Sequence, residues 1–136
     1  MRLSELLINI DGVNWQPRSS DPEITSIHYR SQEVTPGGLF VAIAGHQADG
    51  HDYIEDAFSR GAAAVIAQKP TGSNGLTIQV EDSRLALADL AARFYGWPSK
   101  NLKIIGITGT NGKTTTAYLV ERMRASAGLN AGVIGT

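Results

Sequence analysis

The chain contains no cysteine in its 136 residues. That absence excludes a disulfide framework, a thiolate metal site and a cysteine nucleophile, and it is compatible with a reducing cytoplasm. An excess of charge is also missing. Twelve Lys and Arg stand against 13 Asp and Glu, a net charge of −1, which argues against a nucleic-acid binder with a broad basic face. No apolar stretch approaches the length of a membrane-spanning helix. The opening apolar run is broken by Asn9 and ended by Asp11, too short and polar for an export signal, and no small-residue cleavage site follows. There is no internal repeat, heptad or low-complexity tract. A cytoplasmic protein with no nucleic-acid or membrane partner is the expectation.

What is present fits one ordinary domain, with 42% hydrophobic and 18% charged residues, a size that can bury a core without covalent staples. Fifteen glycines are the outlier. Charge is uneven along the chain: residues 1–100 carry eight Lys/Arg against twelve Asp/Glu, whereas residues 101–136 carry four against one. The shift places a boundary near Pro98, with domains expected over 1–100 and 101–136.

The pattern alternates strands with helices, which implies α/β architecture. Leu3, Leu6 and Leu7 suggest a short amphipathic helix, and residues 24–29 a strand. Residues 39–44 form a turn-bounded apolar run, hence a buried strand. A polar loop over 45–52 follows, with Asp52 as the expected N-cap of a helix marked by Ile54, Ala57 and Phe58 and stopped by Gly61. Residues 64–67 and 76–80 read as two further strands. Leu87, Leu90, Ala91 and Phe94 then give an i, i+3, i+4, i+7 stripe, capped by Asp82 or Ser83 and ended by Gly96 and Pro98.

The last segment differs in kind. Residues 103–108 read as a strand, a glycine loop follows, a helix runs to about residue 127, and residues 131–134 read as a returning strand, together one βαβ unit. Backbone N–H groups of such a loop point inward, and the helix N-terminus adds partial positive charge, so the loop is a phosphate cradle. Gly109 and Gly112 let the backbone approach phosphate oxygens. Lys113 would reach the β- and γ-phosphates of a bound nucleotide and is the candidate catalytic residue, and the Thr114 hydroxyl would ligate Mg2+. Thr110, Asn111 and Thr115 complete the loop. The spacing departs from G-x-x-x-x-G-K-[ST], because Ile107 occupies the leading glycine position and glycines stand at 106 and 109 instead.

The loop Gly106-Ile107-Thr108-Gly109-Thr110-Asn111-Gly112-Lys113-Thr114-Thr115 resembles that of the Mur ligases and their relatives, including folylpolyglutamate synthases. The segment 34–54, with His46-Gln47-Ala48-Asp49-Gly50-His51 at its centre, resembles the MurE branch of that family, as does Ala92-Arg93-Phe94-Tyr95-Gly96-Trp97-Pro98-Ser99. The resemblance covers roughly residues 24–136. It implies a MurE/MurF-type N-terminal α/β domain that holds the UDP part of a substrate, followed by the first βαβ unit of a central ATPase domain. It further implies an ATP-dependent ligase of peptidoglycan biosynthesis. ATP would phosphorylate the D-glutamate side chain of UDP-N-acetylmuramoyl-L-alanyl-D-glutamate, and the amine of meso-diaminopimelate or L-lysine would attack the acyl phosphate. Diaminopimelate is favoured by the His-Gln-Ala-Asp-Gly loop.

Carried over by position, the UDP contacts fall on Tyr29, Ser31, His46, Gln47 and Ala48, and the ATP contacts on residues 109–115. Members of the family usually read Asp-Ser-Arg where this chain has Arg30-Ser31-Gln32. Simpler readings stand beside these: polar residues such as His46 and Gln47 are ordinary in loops. His28 and His51 lack partners at metal-ligand spacing and read as structural or surface residues. Arg122 and Arg124 read as solvated, Trp15 and Trp97 as packing residues, and Asp49 and Asp52 as a loop turn and a helix cap. A parallel sheet needs both faces covered, which one βαβ unit cannot provide, so the chain is expected to be the N-terminal portion of a larger enzyme, inactive in ligation alone. A non-catalytic UDP-sugar-binding module and another P-loop ligase of the folylpolyglutamate synthase type are the alternatives.

Overall fold

A computed structural model describes residues 1–13, 15, 20–45 and 48–135. The chain divides into two compact units, Met1–Pro98 and Ser99–Thr136. The first is built on four parallel strands in sequential order: β1 (Ser26–His28), β2 (Gly38–Val41), β3 (Ala64–Ala67) and β4 (Thr77–Gln79). Helix α1 (Leu3–Leu6) precedes the sheet, α2 (Ile54–Ser59) joins β2 to β3, and α3 (Ser83–Phe94) follows β4.

The two central strands explain why their sequences are apolar at every position. All four residues of β2 and all four of β3 are buried, because helices cover both faces of a parallel sheet. Alternation of side chains then splits each strand between two cores. Leu39 and Val41 of β2, with Ala64 and Ile66 of β3, pack with Leu3, Leu6, Ile78, Ala86 and Leu90. Phe40 and Ala42, with Val65 and Ala67, pack with Ile54 and Ala57 of α2. Phe40, 1% exposed, contributes about 2–3 kcal/mol by burial alone. Register is fixed by pairs such as Phe40↔Val65 and Ile27↔Leu39, and a one-residue slip would exchange the two cores.

Helix termini follow local chemistry. Asp82 caps α3, its Oδ1 accepting from the N–H groups of Arg84 at 2.7 Å and Leu85 at 3.2 Å. The Leu90 and Ala86 side of α3 is buried, with Leu87 and Phe94 packed beside it. Trp15 also packs against this core, as a structural residue. The Arg93 guanidinium donates to the carbonyls of Glu5, Leu6 and Ile8, closing the C-terminal end of α1, where orphan carbonyls favour a cation. The expected cap at Asp52 is not formed. Asp49 takes that role three residues earlier, accepting from the His51 N–H at 3.0 Å, and a 3-10 turn over Gly50–Tyr53 leads into α2. An Asx turn needs a carboxylate two residues before its donor, which Asp49 satisfies.

The second unit departs further from the sequence reading. Helix α4 (Lys113–Ser126) forms, but residues 103–108 and 131–134 join no ladder among the described residues. Ile104 and Ile105 are 72% and 57% exposed. A strand of a parallel sheet exists only through bonds to a neighbour, and these segments have none. The described α4 carries no buried residue, and Leu119 and Met123 on it are exposed.

Candidate functional site

The C-terminal ends of the strands in an open parallel sheet are the usual place for a ligand. β1 and β2 are adjacent and parallel, so the segments that leave them open on one edge. Tyr29 and Ser31 follow β1, and the loop from Ala44 to Asp49 follows β2. Tyr29 is 53% exposed, with the Arg30 guanidinium 5.5 Å from its ring centroid. Ser31 differs: it is 3% exposed, and no hydrogen bond of regular geometry closes on its Oγ. Its hydroxyl lies beside the Asp56 carboxyl of α2. That contact, followed by the Arg60 guanidinium, holds Asp56 below the usual carboxylate range.

The loop after β2 is closed at its base by the main chain. Gly50 N–H donates to Ile43 O at 2.8 Å, and Gly45 N–H donates to Ala48 O at 2.9 Å. Ala44 and Asp49 form an antiparallel bridge. A Cβ at position 50 would lie 2.6 Å from Ile43 N, so only glycine permits this closure. Ala48 is exposed, and His46 and Gln47 lie outside the described residues.

Three side chains brace the same loop. Lys69 Nζ donates to Asp49 Oδ2 at 2.7 Å, and His51 Nδ1 lies 2.5 Å from Asp49 Oδ1. The other ring nitrogen, His51 Nε2, accepts from the Gln68 backbone N–H at 3.0 Å. A backbone amide only donates, so Nε2 carries no proton and the Nδ1–H donates to Asp49. Arg84 Nη2 donates to Ala44 O at 2.9 Å. Lys69 first, then the His51 backbone N–H and ring, hold the Asp49 carboxyl far below the usual carboxylate range. Lys69 is raised in turn by the Asp49 carboxylate. His51 is thus tied into the loop brace by both ring nitrogens, and His28 Nε2 lies 2.8 Å from Ser26 Oγ. Lys69, Gln68 and Arg84 are missed in the sequence, since nothing near them marks a partner 17 to 40 residues away.

In the second unit the glycine loop turns into α4 through two positive-φ glycines. Gly112, at φ +75°, occupies the N-cap position of α4, a conformation that costs other residues about 1–2 kcal/mol. Gly109 has φ +150°. Lys113, the first residue of α4, folds back so that Nζ donates to Gly109 O at 2.5 Å. Its ammonium therefore lies over the loop at the N-terminus of α4. Thr110, Asn111, Thr114 and Thr115 are exposed around it. The described residues hold no cluster of three His, Asp or Glu able to bind a metal ion.

A sequential parallel α/β unit with a braced loop at its C-terminal edge, followed by a glycine loop that opens a helix on a lysine, defines the class as α/β. The sequence profile described as "Mur ligase family, catalytic domain" matches residues 23–95. The chain belongs to the Mur ligase family. The whole chain aligns at 45% identity with 28% of a UDP-N-acetylmuramoyl-L-alanyl-D-glutamate--2,6-diaminopimelate ligase of Geobacillus thermodenitrificans. It aligns at 43% identity with 27% of a UDP-N-acetylmuramyl-tripeptide synthetase of a Roseiflexus species. A solved 2,6-diaminopimelate ligase of the same description superposes with TM-score 0.72 at 27% identity, covering 100% of this chain and 28% of that one. The MurF ligase of Thermotoga maritima in complex with ADP superposes with TM-score 0.60 at 36% identity, covering 74% of this chain and 23% of that one. The chain therefore spans about a quarter of the length of the relatives it matches.

Proposed function

We propose that this chain supplies the UDP-substrate and ATP-phosphate sites of a ligase joining diaminopimelate to UDP-N-acetylmuramoyl-L-alanyl-D-glutamate in the cytoplasm. The observation that carries the reading is the alignment of all 136 residues with a ligase of that name at 45% identity, together with a glycine loop poised for phosphate. On this reading residues 1–100 bind the UDP substrate and residues 101–136 open the ATPase domain. Tyr29, Ser31, His46, Gln47 and Ala48 contact the UDP moiety. Residues 109–115 cradle the ATP phosphates.

The chemistry assigned to these residues is mainly positioning and charge neutralisation. Backbone N–H groups and Lys113 hold the phosphates while the γ-phosphoryl group passes to the D-glutamate side-chain carboxylate. The diaminopimelate amine then attacks the resulting acyl phosphate, the amide forms and phosphate leaves. Mg2+ prefers oxygen ligands and often retains phosphate and water among them. Thr114, in the first turn of α4, fits one such position, with most of the remaining ligands coming from the nucleotide and water. Bound there, the ion offsets phosphate charge.

Titration calorimetry of the chain tests the reading, with UDP-N-acetylmuramoyl-L-alanyl-D-glutamate and Mg-ATP as separate ligands. Both are expected to bind. Binding of the UDP compound alone points to a UDP-sugar module, and binding of ATP alone removes the reading.

A further inference from the structure

The side-chain brace on the loop after β2 has no part in the chemistry described above. It consumes a lysine, an aspartate, a histidine and a backbone amide, yet it lies outside the hydrophobic core. Lys69 is 62% exposed at its side chain, Asp49 28% and His51 9%. The exposed Lys69–Asp49 pair adds little to stability, so stability alone is a weak reason for that part of the arrangement. What the brace does is geometric. It ties the exit of the candidate substrate loop, at Asp49, to the first residues after β3, Gln68 and Lys69.

The directions of the bonds make it a relay. The Gln68 N–H donates to His51 Nε2 at 3.0 Å, His51 Nδ1–H donates to Asp49 Oδ1 at 2.5 Å, and Asp49 Oδ2 accepts from Lys69 at 2.7 Å. Every polar atom on that path has a partner of the right kind. Gln68 follows directly on a fully buried strand, so the relay transmits the rigidity of β3 to an exposed loop. Arg84 holds the entry of the same loop through Ala44 O. A loop fixed at entry and exit loses less freedom when a ligand docks, and affinity rises accordingly.

We propose that Asp49, His51 and Lys69 are positioning residues for the UDP substrate, acting through Ala48 and the loop exit rather than by touching the ligand. The proposal rests on the functional reading above. Supporting residues of this kind shift affinity by about 10-fold or more when removed.

The experiment compares the wild-type chain with Asp49→Asn, Lys69→Met and Lys69→Arg. Calorimetry reads affinity for UDP-N-acetylmuramoyl-L-alanyl-D-glutamate and for Mg-ATP, and amide exchange reads Gly45, Gly50 and Gln68 against Ala42 and Val65 in the sheet. Asp49→Asn and Lys69→Met are expected to weaken the UDP compound by about 10-fold, leave Mg-ATP unchanged, and speed exchange at the loop amides but not in the sheet. Lys69→Arg is expected to restore both readouts, since it keeps the charge and the donor. A purely structural role would move the sheet amides and both ligands together, and that result overturns the proposal. So does unchanged UDP affinity in both disruptive variants. If the wild-type chain itself fails to bind the UDP compound, the functional reading falls and this inference falls with it.

Discussion

Two stretches of this chain read alike as sequence. Residues 39–59 and 103–126 each offer an apolar run, a polar loop with glycines and then a helix. The first becomes strand β2, a closed loop and α2; the second yields only α4. Intrinsic preference does not separate them, since Ile104, Ile105 and Ile107 suit a strand as well as Leu39, Phe40 and Val41 do. The difference is the neighbours. β2 lies between β1 and β3 and is hydrogen-bonded on both sides, while residues 103–108 have no strand beside them among the described residues. Apolar patterning states that a segment can be a strand; only a partner makes it one.

The two regions should therefore respond differently to the same kind of insult. The largest effect is expected from Phe40→Ala, which empties a fully buried site in the α2-facing core. Chemical denaturation should show a loss of about 3–5 kcal/mol for residues 1–98, with amide exchange in α4 unchanged. Coupled loss in α4 would break the comparison. Lys113→Ala should do the reverse. Removing a charge-assisted contact worth about 1.5–3 kcal/mol should weaken Mg-ATP about 10- to 100-fold in calorimetry, with no shift in the unfolding midpoint of residues 1–98. Smaller again is Asp82→Ala, which removes the α3 cap and should cost about 1 kcal/mol in the same denaturation assay.

The smallest expected effect is on pH dependence at the loop brace. Asp49 has a folded-state pKa below its ordinary 3.8. Its contribution is therefore present in full above that value and is lost as the pH falls through the lower, folded-state value. Denaturation of wild type and Asp49→Asn should differ most near neutrality and converge as the pH drops below 3.8. A gap that stays constant down to strong acid would show that the carboxylate charge is not what holds the loop. Asp21, lowered by the backbone N–H and hydroxyl of Ser4, titrates in the same direction and is common to both proteins, so it cancels in the difference.

Much of the first unit was legible before folding. The stripe Leu87, Leu90, Ala91 and Phe94 marks α3, Asp82 marks its start, and Gly61 marks the end of α2 with φ +95°. Each of these is a relation between residues a few positions apart. Asp52, the expected cap of α2, makes no cap, and Asp49 caps the 3-10 turn ahead of it instead; both carboxylates stand before Ile54, and only the turn geometry selects between them. At the candidate site, Gly112 and Lys113 were legible for the same local reason. The burial of Ser31 against α2 was not, because Asp56 reaches it across the fold.

By itself the sequence determined the helices, the helix stops, the apolar runs and the glycine loop that opens α4. These depend on backbone φ, on side-chain period and on caps that close within one turn. Tertiary structure alone decided which apolar runs became strands, how β2 and β3 divide between two cores, and how Lys69 and Arg84, 20 and 40 residues from their partners, lock the loop after β2. A ladder bond or a cross-brace has no local signature, because its two ends meet only when the chain between them has folded.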